Sequence, residues 1–229
     1  MGLRTRAGSG LQRPAASRIL ALRLGNCSMN PQKSRNQAPH WRREEQFPGP
    51  QLAPVRRWLL DDGSLTQHLL DTGLRFSLER WEQRWEPPLL EERRLLGMSL
   101  RELAMVRRIV MRLDGRAVVY ARSVFPVGSL CGPLLRLRQL NNQSLGSFLF
   151  SRADMRRSPF EIALLDGSSS YLPESLHQEQ PAWARRSCFQ VAGKPLLVSE
   201  VFLEDFPRWQ SATPLHRSRR GQVSATITR

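Results

Sequence analysis

Glu200 is a lone carboxylate in the run Gly193-Lys-Pro-Leu-Leu-Val-Ser-Glu-Val-Phe-Leu203, which otherwise has the composition of a core strand. Side chains alternate along a strand, so Glu200 shares a face with Leu196, Val198 and Phe202. A carboxylate on such a face is desolvated. It costs several kcal/mol, roughly, unless a cation pairs with it or it keeps its proton, and either state makes it a candidate site residue. A structural ion pair, or a strand that turns this face to solvent, is the plainer reading of the same pattern.

Arginine is the second chemical signal. Two β-rich runs, Met105 to Leu113 and Arg116 to Val127, flank Asp114-Gly115, a strong hairpin dipeptide. Arg107 lies on the strand face that carries Met105, Ile109 and Met111. If the turn has two residues, Leu113 pairs with Arg116 and the ladder sets Arg107 opposite Arg122. Two guanidinium groups side by side make a place for an anionic ligand, because arginine stays charged when buried and binds carboxylates through a planar fork. A register slip of one residue would undo that pair and leave an arginine ladder. Two helix starts could add main-chain donors. Ser64 followed by Gln67 has the form of a capping box that makes Leu65 the first helical residue, and Ser144 caps a helix opened by Leu145.

Read together, these pieces resemble the chorismate lyase family over about residues 50 to 207. The similarity is carried by Ala121-Arg-Ser-Val-Phe-Pro-Val-Gly-Ser-Leu-Cys-Gly-Pro133, Ser144-Leu-Gly-Ser-Phe-Leu-Phe150, Trp183-Ala-Arg-Arg-Ser187 and Gly193 to Leu203, in that order. The resemblance implies that Arg107 binds the ring carboxylate of the substrate, that Leu65 and Leu145 contact it through the main chain, and that Glu200 stands near the ligand hydroxyl. Arg107 and Glu200 are the implied catalytic residues. Two positions depart from the family pattern: Leu65 stands where relatives carry methionine, which a main-chain contact tolerates, and Ala121 stands where a close relative has glycine.

The implied reaction is loss of pyruvate from chorismate to leave 4-hydroxybenzoate, at the head of bacterial ubiquinone biosynthesis. It breaks the ether bond to the enolpyruvyl group and removes the hydrogen on the hydroxyl-bearing carbon. Gain of aromaticity drives it, so positioning and electrostatics are the main demands on the protein. Glu200 would orient the hydroxyl or act as acid and base, and Arg122 or Lys194 could take the enolpyruvyl carboxylate. No cofactor and no metal are expected, and chorismate and 4-hydroxybenzoate are the expected small-molecule partners.

The elements that must position these groups can be read coarsely. Helices are expected near Pro54 to Leu60, over Leu65 to Asp71, over Leu89 to Leu96, with helical spacing in Gly132 to Leu140, and from Leu145. Strands are expected at Leu74 to Arg80, in the Asp-Gly hairpin, at Phe160 to Leu165, and in a final pair around Ser187 to Ala192 and Pro195 to Leu203. Asp166 to Pro181 reads as a surface loop rich in Gly, Ser and Pro. The sum is a single α+β domain with an antiparallel sheet. The resemblance makes that sheet six-stranded, with helical flaps over a buried ligand pocket.

The chain of 229 residues carries a net charge of +15, but unevenly. Residues 1 to 46 hold nine Lys/Arg against two acids, residues 208 to 229 five against none, and residues 47 to 207 hold 21 bases against 18 acids. The boundaries follow: a basic N-terminal extension (1–46), a folded domain (47–207) and a basic tail (208–229), the two arms expected to be disordered. A near-neutral core argues against specific nucleic-acid binding. The first 28 residues are Arg-rich and acid-free, like a transit peptide, and Met29 is an alternative start. Cys27, Cys131 and Cys188 show no paired spacing, and His40, His68, His177 and His216 no ligand spacing. With no long apolar run no transmembrane segment is expected, the cysteine pattern points to a reducing compartment, and the protein is expected to be cytoplasmic and a monomer. The alternative of another class is a ligand-sensing module related to the effector domains of bacterial transcription regulators, since such domains resemble the lyase fold without catalysis.

Overall fold

In the computed structural model the Asp114-Gly115 turn has positive φ at both central residues, 48° and 83°, the combination that matches the twist of two antiparallel strands. The structure describes residues 38–207; residues 1–37 and 208–229, with Cys27, Met29 and His216, most of the expected extension and the expected tail, lie outside the described residues. The strands are β1 (Arg42–Arg43), β2 (Phe76–Glu86), β3 (Ala104–Leu113), β4 (Arg116–Pro126), β5 (Arg156–Arg157), β6 (Glu161–Leu165), β7 (Ala182–Val191) and β8 (Lys194–Phe202). They form one antiparallel sheet in the order β1-β6-β7-β8-β4-β3-β2, with β5 paired to β7. The α+β antiparallel expectation holds, but the sheet has eight strands and not six. The additions are β1 and β5, two residues each, too short to show any alternation in sequence. Residues 38–46, assigned above to the N-terminal extension, supply β1, which pairs with β6.

A bulge decides what the hairpin presents. Arg112 pairs with Ala117 but Met111 pairs with Val119, so Val118 is the extra residue. Arg107 therefore faces Ser123, and Arg122 faces Arg108. The expected pairing of Arg107 with Arg122 is wrong by that one residue, and the two guanidinium groups lie on opposite sides of the sheet.

Both faces are covered. On the front, α2 (Arg56–Leu59), α3 (Leu65–Leu70), α5 (Leu145–Phe150) and a 3₁₀ helix (Gly132–Gln139) pack on Ile109, Phe125, Phe189 and Phe202. A short α1 (Gly49–Leu52) precedes them. On the back, α4 (Leu90–Leu96) packs on Val106, Val124 and Leu197. Loop 166–181 is more than a surface loop, because its Leu172 and Leu176 are buried against Val110, Tyr120 and Val201. Its root is tight: a Cβ on Gly167 would lie 2.1 Å from the carbonyl oxygen of Gln178. Gly167→Ala must push the two backbone segments apart, and a loss of about 1–3 kcal/mol in denaturant unfolding is expected.

Across the back face runs one polar row, Glu82–Arg108–Arg122–Ser199–Arg186–Glu161, in which each residue is the Cα partner of the next. Arg108 bonds Glu82 at 2.6 Å and Arg186 bonds Glu161 at 2.7 Å. Arg122 donates to both oxygens of Glu92 on α4, at 2.7 and 3.0 Å, and to Glu86 at 3.1 Å. Every arginine in this row has an acid partner. The front face differs in that respect.

Candidate functional site

Two adjacent rows of the front face carry the site. One reads Ile109–Ala121–Glu200–Arg185 across β3, β4, β8 and β7, and the next reads Arg107–Ser123–Val198–Ser187. With strands about 4.8 Å apart, Arg107 and Glu200 are separated by roughly 10 Å across the sheet. That distance suits a six-membered ring with a polar group at either end.

The two short flap helices close over these rows by their N-termini. Ser64 Oγ accepts from Gln67 N at 3.3 Å, and Ser144 Oγ accepts from Ser147 N at 3.4 Å, so both caps form as expected. The capping box at Ser64 is not completed, because Gln67 Nε2 donates to Asp71 instead, at 2.8 Å. Leu65 and Leu145 open α3 and α5, and their first-turn N–H groups precede any intrahelical bond. The flaps meet where Thr66 Oγ1 and Ser144 Oγ are 2.8 Å apart. Gly146 lies at this junction, and a Cβ there would already touch Ser144 Oγ at 3.4 Å and Ser64 Oγ at 3.6 Å.

Beneath the junction is a cavity of about 40 Å³, lined by Leu65, Leu145, Arg107, Arg157, Arg185 and Glu200 among others. That volume is close to one water molecule's share of liquid, whereas benzene occupies protein cavities of about 150 Å³. A ring enters only if the flaps separate.

Arg107 is the most unusual group here. It is 1% exposed, and its NH2 donates to the carbonyls of Asn141 at 2.9 Å and Gln143 at 2.8 Å, in the turn before α5. Its Nε and NH1 are buried with no hydrogen-bond partner among the described residues. Burial, reinforced by Arg80, pulls the guanidinium down to about 10, so it keeps its charge at neutral pH. A buried cation with two donor nitrogens unused beside a cavity can receive an anion.

Glu200 is desolvated as its strand position implies, with its side chain 13% exposed, and it is paired. Arg185 Nε donates to Glu200 Oε2 at 2.6 Å, and Arg185 NH1 donates to the carbonyls of Trp58, Leu59 and Asp61 at 3.2, 3.3 and 2.7 Å. One guanidinium thus fixes the carboxylate and the approach to α3 together. Asp61 shapes the same approach: its side chain accepts from Gly63 N at 2.7 Å and meets His68 at 3.2 Å.

The structure brings all four expected site residues, Leu65, Arg107, Leu145 and Glu200, to one cavity. It does not bring Arg122 or Lys194 there: Arg122 is on the back face with Glu92, and Lys194 is exposed beside the β7–β8 turn. Sequence reasoning missed Arg185 and Arg157. Arg185 lies in Ala182–Val191, which begins before the strand expected from Ser187 and carries two adjacent arginines that hide its period, and two-residue β5 offers no pattern that would mark Arg157. Among the described residues no group of His, Cys, Asp and Glu is arranged to hold a metal ion, and no helix is long and apolar enough to cross a membrane.

The antiparallel sheet is covered on both faces, and its front-face cavity, with a buried arginine and a clamped carboxylate, could take an anionic small molecule. Residues 35–213 match the chorismate lyase family model, and the chain belongs to that family. A relative in Halorhodospira halophila, named probable chorismate pyruvate-lyase, is 37% identical over 163 residues, covering 69% of this chain and 86% of its own. Another of the same name in Idiomarina loihiensis is 35% identical over 190 residues, covering 80% and 93%. Among solved structures, the effector domain of PhnF from Mycobacterium smegmatis is similar at 16% identity with a TM-score of 0.47, covering 66% of this chain and 96% of its own.

Proposed function

We propose that this protein removes pyruvate from chorismate to give 4-hydroxybenzoate, the first committed step of ubiquinone biosynthesis, with no cofactor. Membership of the family supports the reaction class. The observation that carries the site assignment is the buried guanidinium of Arg107, which keeps Nε and NH1 without a hydrogen-bond partner among the described residues, so that a ring carboxylate could accept from one of them.

In this reading Arg107 anchors the ring carboxylate, helped by the main-chain N–H groups of Leu65 and Leu145, and the flaps close the cavity as the ring settles. The substrate then spans from β3 to β8, with its hydroxyl-bearing carbon near Glu200. The ether C–O bond breaks and its electron pair leaves with the enolpyruvyl oxygen. The C–H electrons of the hydroxyl-bearing carbon enter the ring, which becomes aromatic, and that proton ends on the departing pyruvate. Glu200, held by Arg185, steers the hydroxyl and gives partial acid and base help. Ala121, between Ile109 and Glu200 in the same row, brings a methyl group toward the ring.

Arg107→Ala should weaken binding of 4-hydroxybenzoate by roughly 1.5–3 kcal/mol, the worth of a charged hydrogen bond. Arg107→Lys should recover only part, because an ammonium lacks the planar fork. Calorimetric titration of the three proteins with 4-hydroxybenzoate is the test. Wild-type affinity in Arg107→Ala would remove Arg107 from the site.

A further inference from the structure

The geometry points to Arg157 as the residue that holds the second carboxylate of the substrate, the one on the enolpyruvyl arm that leaves as pyruvate. This rests on the chorismate reading and gives that arm a receptor which neither Arg122 nor Lys194 supplies.

The charges of the cavity wall suit a dianion. Its ionisable side chains are Arg107, Arg157, Arg185 and Glu200, three cations and one anion. Arg185 and Glu200 neutralise each other in a 2.6 Å bond, and Arg185 spends its NH1 on three flap carbonyls. Arg107 and Arg157 hydrogen-bond to neutral groups, although the charges of Glu200, Asp62 and Asp61 act on Arg157. Chorismate carries two carboxylates, and each would meet one arginine.

Arg157 also stands at the right end of the cavity. Its Nε donates to Ser187 Oγ at 2.8 Å and its NH1 to the Asp62 carbonyl at 3.2 Å, both neutral partners, leaving NH2 outside these bonds. Its guanidinium lies 4.0 Å from the centre of the Phe160 ring, and that of Arg185 lies 4.7 Å from the same ring. Arg157 is therefore grouped with Arg185 and Glu200. Ser187, which orients it, is three strands from Arg107 in the same ladder row, about 14 Å away across the sheet. The enolpyruvyl ether sits on the ring carbon next to the hydroxyl-bearing one. An arm attached there, with the hydroxyl at Glu200, extends toward the Arg157 cluster and away from Arg107. Burial and the nearby charge of Arg185 pull Arg157 down to about 9, against the charges of Glu200, Asp62 and Asp61, and an arriving carboxylate would offset the charge of Arg185.

The test compares ligands with one and two carboxylates. Arg157→Gln should raise KM for chorismate about ten- to a hundred-fold, the loss expected for a charged hydrogen bond, while affinity for 4-hydroxybenzoate stays within about two-fold. Arg157→Lys should recover part of the chorismate KM. In the wild-type protein 3-(carboxymethoxy)benzoate should inhibit at least about ten-fold more strongly than 3-methoxybenzoate, a comparison that needs no variant to fold. An equal loss for chorismate and 4-hydroxybenzoate in Arg157→Gln would show a structural role and overturn the proposal. So would an unchanged KM, or equal inhibition by the two benzoate ethers. If instead the wild-type protein neither consumes chorismate nor binds 4-hydroxybenzoate, the lyase reading itself fails, an outcome distinct from loss of the Arg157 assignment alone.

Discussion

Glu92→Ala is expected to lower the free energy of unfolding by about 3–5 kcal/mol, the cost of leaving a buried charge without its partner. Glu92 is 2% exposed, and its two oxygens receive Arg122 Nε and NH2 at 2.7 and 3.0 Å, while Oε2 also caps α4 by accepting from Leu89 N at 2.9 Å. Burial alone would lower the Arg122 guanidinium, yet the Glu92 bond and charge hold it above its ordinary value. Without Glu92, Arg122 keeps only Glu86, at 3.1 Å, and α4 loses its link to the middle of the sheet. Replacing both partners with methionine should recover much of the loss, since the penalty comes from the stranded charge. Denaturant unfolding of the two variants decides it, and a single variant as stable as wild type would contradict the role assigned to the pair. The front-face cavity should be little affected in the protein that remains folded.

Glu200→Gln should slow single-turnover conversion of chorismate by about a hundred-fold, the lower end of what a positioned acid or base contributes. Glutamine preserves the shape and an oxygen that can still accept from Arg185 Nε, so the flap attachment through Trp58, Leu59 and Asp61 should survive. What it removes is the charge and the capacity to take a proton. Affinity for 4-hydroxybenzoate should change far less than the rate, because the ring carboxylate is held at the far end by Arg107. Rapid-quench kinetics beside equilibrium titration separates the two effects. A wild-type rate would exclude Glu200 from the chemistry, and an equal fall in rate and affinity would make it a binding residue.

The parts of this site that were legible in the sequence are those governed by local chemistry. Asp114-Gly115 announces its turn because few other residue pairs tolerate two positive φ values. Ser64 and Ser144 announce the flaps because a hydroxyl at that place satisfies a main-chain donor. Glu200 stood out because an acid amid apolar strand residues must have a partner, though the sequence did not say that the partner was Arg185. What stayed hidden depends on tertiary context. Val118 is a valine like its neighbours, and nothing local marks it as the bulged residue that sends Arg107 and Arg122 to opposite faces. Strand β2 runs on to Glu86, past the expected Arg80, because it is a sheet edge whose exposed faces accept the charged residues that hide its period. Gly132–Gln139 shows helical spacing yet forms a 3₁₀ helix. Arg157 reaches the cavity from a two-residue strand that only packing against β7 creates.

If the cavity between Arg107 and Glu200 performs a lyase reaction, product analysis of purified protein incubated with chorismate will show it. Pyruvate and 4-hydroxybenzoate should appear in equal amounts, with no added metal or cofactor, and Arg107→Ala and Glu200→Gln should both slow their formation. Folded protein that binds 4-hydroxybenzoate or chorismate but yields neither product would contradict the lyase reading, and would identify the cavity as that of a small-molecule sensor.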